Sequence, residues 1–142
     1  MARIFVLNGV NLGSLGERRP EVYGLQTLKD IEQLLQEAFS DAELDFRQTD
    51  HEGEFIGWIQ EAASSDGLVL NPGAWTHYSY ALHDALEAVD VTKVETHLSN
   101  IHARELWRRH DVITPAVDAI VAGMGVFGYR AAVAYVLSRG SE

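Results

Sequence analysis

The 142-residue chain contains no cysteine. That excludes a disulfide scaffold, a thiolate-ligated zinc or iron–sulfur site, and a thiol nucleophile. Positive charge is scarce too: 11 Lys and Arg stand against 21 Asp and Glu, a formal net charge of −10. A chain that acidic offers little to a polyanion, so nucleic acid is not an expected partner. Small anions are not excluded, because net charge is a sum and binding is local. No apolar run approaches the ~18 residues of a spanning helix, so no membrane partner is expected. The start, Met1-Ala2-Arg3, lacks the apolar stretch of a secretory signal, and the cytoplasm is the expected compartment. Low-complexity segments, linkers and repeats are also missing. One domain over residues 1–142 is expected, long enough to bury a core. The only 3 prolines, Pro20, Pro72 and Pro115, each fall in a turn-like segment.

What is present alternates. Arg3 to Leu7 is a short apolar run ending at Asn8-Gly9, the pattern of a buried strand. A polar loop follows from Gly9 to Gly24. Leu28, Ile31, Leu34, Leu35 and Ala38 recur at helical spacing behind Thr27, a suitable N-cap. Leu44 to Arg47 predicts an edge strand, and Phe55, Ile56, Ile59, Ala62 and Ala63 predict a second helix. Gly67 to Leu70 is a third strand that stops at Asn71-Pro72-Gly73. A helix from Tyr78 to Val89 leads to a fourth strand, Val91 to Leu98, and His102 to His110 is a short polar helix or turn. Ala119 to Ala122 is a fifth strand closed by Gly123, before a last helix from Val126 to Leu137. This alternation predicts an α/β fold with a parallel sheet and helices on both faces. The expected architecture is a flavodoxin-like three-layer sandwich with a five-stranded parallel sheet in the order 2-1-3-4-5. Ligands of such sheets bind beyond the carboxyl ends of the strands, where strands 1 and 3 meet.

The polar residues follow that rule. Strand 1 leads to Asn8 and Asn11, strand 2 to Asp50, His51 and Glu52, strand 3 to Asn71, Thr76 and His77, and strand 4 to His97, Ser99, Asn100 and His102. One such residue is usually a cap or turn former; four strand ends converging is the pattern of a site. Five of the 11 cations gather in two segments: Arg18 and Arg19 in the first loop, and Arg104, Arg108 and Arg109 after strand 4. Any one of them alone reads equally well as a solvated loop residue. Together they suit a clamp for a small carboxylate or phosphate. The spacing of Arg104 and Arg108 predicts that both share one helical face.

The first loop is long for its position and suits a lid. It ends at Tyr23-Gly24, within reach of the arginine pair. A tyrosine, with an ordinary pKa of about 10, is a poor base at neutral pH. A nearby guanidinium favours the phenolate. A shift to about 7 requires roughly 4 kcal/mol, within the capacity of one or two cations in a water-poor site. The bland alternative is that Tyr23 packs the loop onto the core. Two other motifs are weaker. Gly123-Met124-Gly125-Val126-Phe127-Gly128 has dinucleotide-loop spacing, but no strand follows it, so tight packing of the last helix is expected. His51-Glu52-Gly53-Glu54 lacks a second histidine at ligand spacing and reads as a helix start.

The motifs together resemble one family, the type II 3-dehydroquinate dehydratases. The matching segments are Asn8-Gly9-Val10-Asn11-Leu12-Gly13, Arg18 through Tyr23-Gly24, Asp50-His51-Glu52-Gly53-Glu54, Asn71-Pro72-Gly73-Ala74-Trp75-Thr76-His77, Ala81-Leu82-His83-Asp84-Ala85, Glu95 through Glu105, and Gly128-Tyr129. The resemblance implies a lyase of the shikimate and quinate pathways. It would eliminate water from 3-dehydroquinate in the anti sense, through an enolate, with no metal and no cofactor. It further implies Tyr23 as base, Arg18 as the lid arginine holding Tyr23 as phenolate, His97 as general acid, Glu95 as its orienting carboxylate, and Asn11 as holder of the water on the enolate oxygen. Asn71, Gly73, His77, Leu98, Ser99 and Arg108 would bind substrate. Asp84 would reach a neighbouring subunit's site in a trimer, and trimers would assemble into a dodecamer. The chain departs from the family pattern at Val10 (usually Pro), Arg19 (usually Glu), His83 (usually Arg) and His110-Asp111-Val112 (usually His-Ser-Tyr). Two competing classes remain at this stage. One is a flavin- or nucleotide-binding module, against which the first loop lacks a Ser/Thr/Gly phosphate run. The other is a divergent paralogue that binds a related cyclic hydroxy acid with little turnover.

Overall fold

The computed structural model describes residues 1–140; the last two positions of the expected domain lie outside the described residues. Five strands, β1 (Arg3–Asn8), β2 (Glu43–Gln48), β3 (Gly67–Asn71), β4 (Thr92–His97) and β5 (Ala119–Ala122), form one parallel sheet in the order β2-β1-β3-β4-β5. β2 is an edge strand, as its alternation predicts. The helices are α1 (Pro20–Tyr23), α2 (Leu28–Ala38), α3 (Glu52–Glu61), α4 (Tyr80–Glu87) and α5 (Phe127–Gly140).

The strands at the centre are apolar on both faces because each face is covered. Phe5, Leu7, Leu68 and Leu70 pack with Phe55 and Ile59 of α3 and Leu82 and Leu86 of α4. Ile4, Val6, Val69 and Val94 point the other way, onto Ile31 and Leu35 of α2 and Ala132, Val133 and Val136 of α5. Alternate residues of one strand thus feed two cores, which is the three-layer sandwich expected of βα repeats. α2 begins with a reciprocal cap: Thr27 Oγ1 accepts from the Asp30 N–H at 3.2 Å, and the Asp30 carboxylate accepts from the Thr27 N–H at 3.0 Å.

Two local expectations are corrected. The Gly9–Gly24 loop is not wholly irregular: it holds a 3-10 turn at Leu12–Ser14 and the single helical turn α1, opened by Pro20, whose fixed φ suits a first helical position. After β4, where the sequence allows a helix or a turn, the structure has turns, and what fails is the helical face expected for Arg104 and Arg108. The segment breaks into 3-10 turns at Ile101–Ala103 and Leu106–Arg109, with Arg104 extended between them (φ −107°, ψ −150°). The Gly123–Gly128 run packs α5 on the sheet as expected. A Cβ at Gly128 would sit 3.0 Å from Thr96 Oγ1 of β4.

Candidate active site

β1 and β3 are paired to their final residues, Asn8 opposite Asn71. The Tyr129 hydroxyl of α5 lies between them. It donates to Asn8 Oδ1 at 2.6 Å and accepts from Asn71 Nδ2 at 3.0 Å. All three side chains are buried. Burial pushes the Tyr129 phenol well above its ordinary range, so it stays a neutral donor. Asn71 Oδ1 in turn accepts from the Gly73 N–H at 3.1 Å. Gly73 has φ +63°, and a Cβ there would come within 2.7 Å of the Val10 carbonyl oxygen, so only glycine lets the first and third strand-end loops approach. Asn11 adopts the left-handed conformation (φ 67°), and its N–H donates to Asp50 Oδ1 at 2.8 Å.

These loops and the two turns after β4 line a cleft open to solvent. Tyr23 reaches it from the end of α1. Arg104 Nη1 donates to the Tyr23 hydroxyl oxygen at 2.9 Å and to Ser99 Oγ at 3.2 Å. The Arg104 and Arg18 guanidinium carbons lie 5.2 and 4.9 Å from the Tyr23 ring centroid. Two guanidinium groups therefore lie against this phenol. The ring also packs against the α2/α5 core, as the bland alternative expects. Arg19 is turned away and pairs with Glu21 at 3.1 Å in solvent.

On the other side of the cleft stands His97, 5% exposed at the end of β4. Its Nε2 lies 2.5 Å from Glu95 Oε2, which makes Nδ1 the ring nitrogen left for a ligand. Glu95 is fully buried, shares a hydrogen bond with Thr76 Oγ1 at 2.6 Å and accepts from Thr114 Oγ1 at 2.8 Å. Burial raises the Glu95 carboxyl above its ordinary range. His77 is held by Nδ1 against the His110 carbonyl at 2.8 Å and by the edge of Trp107, 5.2 Å between centroids. Burial lowers its pKa, so it presents a neutral ring. Arg108 stacks over Trp107, 4.1 Å to the ring centroid, and pairs with Glu105. A guanidinium-bonded phenol, a carboxylate-backed imidazole and further guanidinium groups in one cleft are suited to binding a small anion and moving protons on it.

The class II dehydroquinase family model matches residues 2–137. The chain belongs to this family. It is 49% identical over 140 residues to a 3-dehydroquinate dehydratase of Kineococcus radiotolerans, covering 96% of each chain. Among solved structures it resembles the type II dehydroquinases of Propionibacterium acnes (TM-score 0.94, 40% identity, 97% of each chain) and Butyrivibrio crossotus (TM-score 0.94, 38% identity, 96% of this chain and 97% of that one).

In this class II dehydroquinase the cleft brings together Asn11, Arg18, Tyr23, Asn71, Gly73, His77, His97, Leu98, Ser99 and Arg108. Glu95 stands behind His97 rather than in the lining. Asp84 is not brought in: it is exposed on α4. His51 and His102, grouped with the other strand-end histidines by sequence, are exposed outside the lining. His51 does start α3, but its side chain makes no capping bond. Arg104 has a closer place in the site than its sequence signal indicates. It was legible only as one member of a cationic cluster, yet it is the one that contacts the Tyr23 oxygen. Thr76, Thr114 and Asp111, which surround Glu95, carry no local signal for that role.

Carboxylate and imidazole groups close enough to share an ion come together at two places among the described residues, Glu95/His97/Asp111 and His83/Asp84/Glu87. In the first, three of the four carboxylate oxygens are already hydrogen-bond acceptors.

Proposed function

We propose that this cleft dehydrates 3-dehydroquinate to 3-dehydroshikimate, a step of the shikimate pathway that also serves quinate breakdown. Tyr23, as phenolate, takes a proton from C2 of the ring. The electron pair of that C–H bond moves into an enolate on the C3 oxygen. Asn11 holds the water that hydrogen-bonds to this oxygen. The enolate then collapses: the C1–C2 double bond forms, the C1–O bond breaks, and His97 Nδ1 gives its proton to the departing hydroxyl. The products are water and a conjugated enone. The proton on Tyr23 leaves to solvent, and one is returned to His97, closing the cycle.

The remaining residues bind and orient. Arg18 and Arg104 stabilise the phenolate, Glu95 fixes the His97 ring, and Asn71, Gly73, His77, Arg108 and the Leu98-Ser99 segment hold the substrate's hydroxyls and carboxylate. The observation that carries the reading is the pairing of a guanidinium-bonded Tyr23 with a carboxylate-backed His97 in one cleft. We also read the chain as one catalytic domain working in the cytoplasm, as trimers built into a dodecamer. In that assembly the exposed Asp84 would serve a neighbour's cleft; light-scattering mass in solution tests this. No helix among the described residues is long and apolar enough to cross a membrane. The function is tested by mixing the protein with 3-dehydroquinate and following ultraviolet absorbance. A rise from the enone is expected; a flat trace with the folded protein would overturn the reading.

A further inference from the structure

Asp111 lies between the Leu106–Arg109 and Thr114–Ala116 turns, behind the catalytic histidine. Its carboxyl, that of Glu95 and a ring nitrogen of His97 all lie within 4.8 Å of one another. Asp111 Oδ1 accepts from the Ile113 N–H at 2.8 Å and the Thr114 N–H at 3.0 Å, and it contacts Thr76 Oγ1 at 3.1 Å. Its Oδ2 is buried with no hydrogen-bond partner. Thr76 Oγ1 is also 2.6 Å from Glu95 Oε2, so one hydroxyl touches both carboxyl groups.

A hydroxyl has a single proton and can donate to only one of them. If it donates to Asp111, then Glu95 meets it as an acid; if it donates to Glu95, Asp111 Oδ1 is left with its two backbone donors. Backbone N–H groups favour the charged form of a carboxyl, and Asp111 has two while Glu95 has none. Two buried carboxylates this close do not both ionise readily. The proton therefore belongs on the Glu95 side, where it can sit on Oε2 or on His97 Nε2.

We propose that Asp111 is a positioning residue for the dehydration: a buried negative charge behind Glu95 that keeps a proton on the Glu95–His97 pair at higher pH. The proposal rests on the reading of His97 as the general acid. Burial raising Glu95, and hydrogen bonds holding Asp111 low against its own burial, agree with this division. The guanidinium groups at the cleft act in the opposite sense. Arg18, Arg104 and Arg108 line it, Tyr23 faces them, and His77 is neutral. No carboxylate is among the lining residues. The Asp111 charge offsets those cations, so the acid keeps its proton under conditions where Tyr23 is a phenolate.

The test is the pH profile of kcat for the wild type, Asp111→Asn and Asp111→Ser. Removing the charge is expected to move the alkaline limb down by about 1 pH unit, with KM and the acid limb little changed. The 1H–15N spectrum of the His97 ring, recorded without substrate, is expected to titrate lower by the same amount. Superimposable limbs and ring titrations, with or without a lower Tm, would reduce Asp111 to a structural role and overturn the proposal. Carboxyl 13C spectra of the wild type provide a check that needs no variant to fold: Glu95 and Asp111 should titrate as a coupled pair, and independent titration would refute it. A wild type without dehydratase activity but with the expected ring shift would refute the proposed function and support the charge placement.

Discussion

Arg104 and Tyr23 lie 81 residues apart in the chain, and the guanidinium of one donates to the phenol oxygen of the other at 2.9 Å. Arg18 approaches the same ring from the loop that carries Tyr23. The two cations differ in geometry. Arg18 lies over the ring and contributes its charge, whereas Arg104 also supplies a directed N–H. Directed donors aimed at an oxygen where charge resides are among the larger contributions an active site makes.

Arg104→Ala is therefore expected to lower kcat by roughly 10²-fold or more. Arg104→Lys should recover only part of that loss, because an ammonium supplies charge without the planar fork. Steady-state kinetics with 3-dehydroquinate, alongside a Tm measurement to show the variants fold, decide the matter.

Tyr129→Phe removes the hydroxyl that joins Asn8 to Asn71 and leaves two buried polar groups without this partner. The expected cost is about 1–3 kcal/mol of stability in denaturant unfolding. Asn71 also loses a bond that fixes its amide at the cleft, so KM is expected to rise more than kcat falls. An unchanged unfolding midpoint would show that the network contributes nothing.

His83 bonds the Val112 carbonyl through Nδ1 at 2.6 Å and faces the Glu87 carboxylate through Nε2 at 2.8 Å. The bond to the Val112 carbonyl and the nearby Glu87 charge raise its pKa above the ordinary value of 6.5. A histidine raised in the folded state contributes stability that is complete below its unfolded pKa and lost as pH rises through the folded one. The difference in Tm between wild type and His83→Gln should be larger near pH ~5.5 than near pH ~8.5. The pair is at the surface, so the effect should be small and weaken with salt.

The sheet order was legible because each strand's apolar run, such as Ile4 to Leu7, feeds two covered faces, and short βα connections permit few topologies. The cleft was legible because strand-end polar residues and scarce arginines converge there. What was not legible depends on backbone detail or on distance in sequence. The i, i+4 spacing of Arg104 and Arg108 looked helical, but Arg104 is extended and turns back to Tyr23. Arg18 and Arg19 are adjacent, and only the turn into Pro20 sends one inward and the other to Glu21. The Tyr129 contact to Asn8 spans 121 residues, beyond any local pattern. Gly73 entered through the family resemblance; its physical reason, the Val10 carbonyl oxygen where a Cβ would stand, appears only in three dimensions.

The proposed dehydration turns on the Tyr23 oxygen as the base. It is tested most directly by the enone absorbance assay on Tyr23→Phe beside the wild type at saturating 3-dehydroquinate. The substitution removes one oxygen and leaves the ring that packs on the core. A loss of ~10²–10⁴-fold in kcat with the fold retained is expected. Turnover by Tyr23→Phe at the wild-type rate would contradict it.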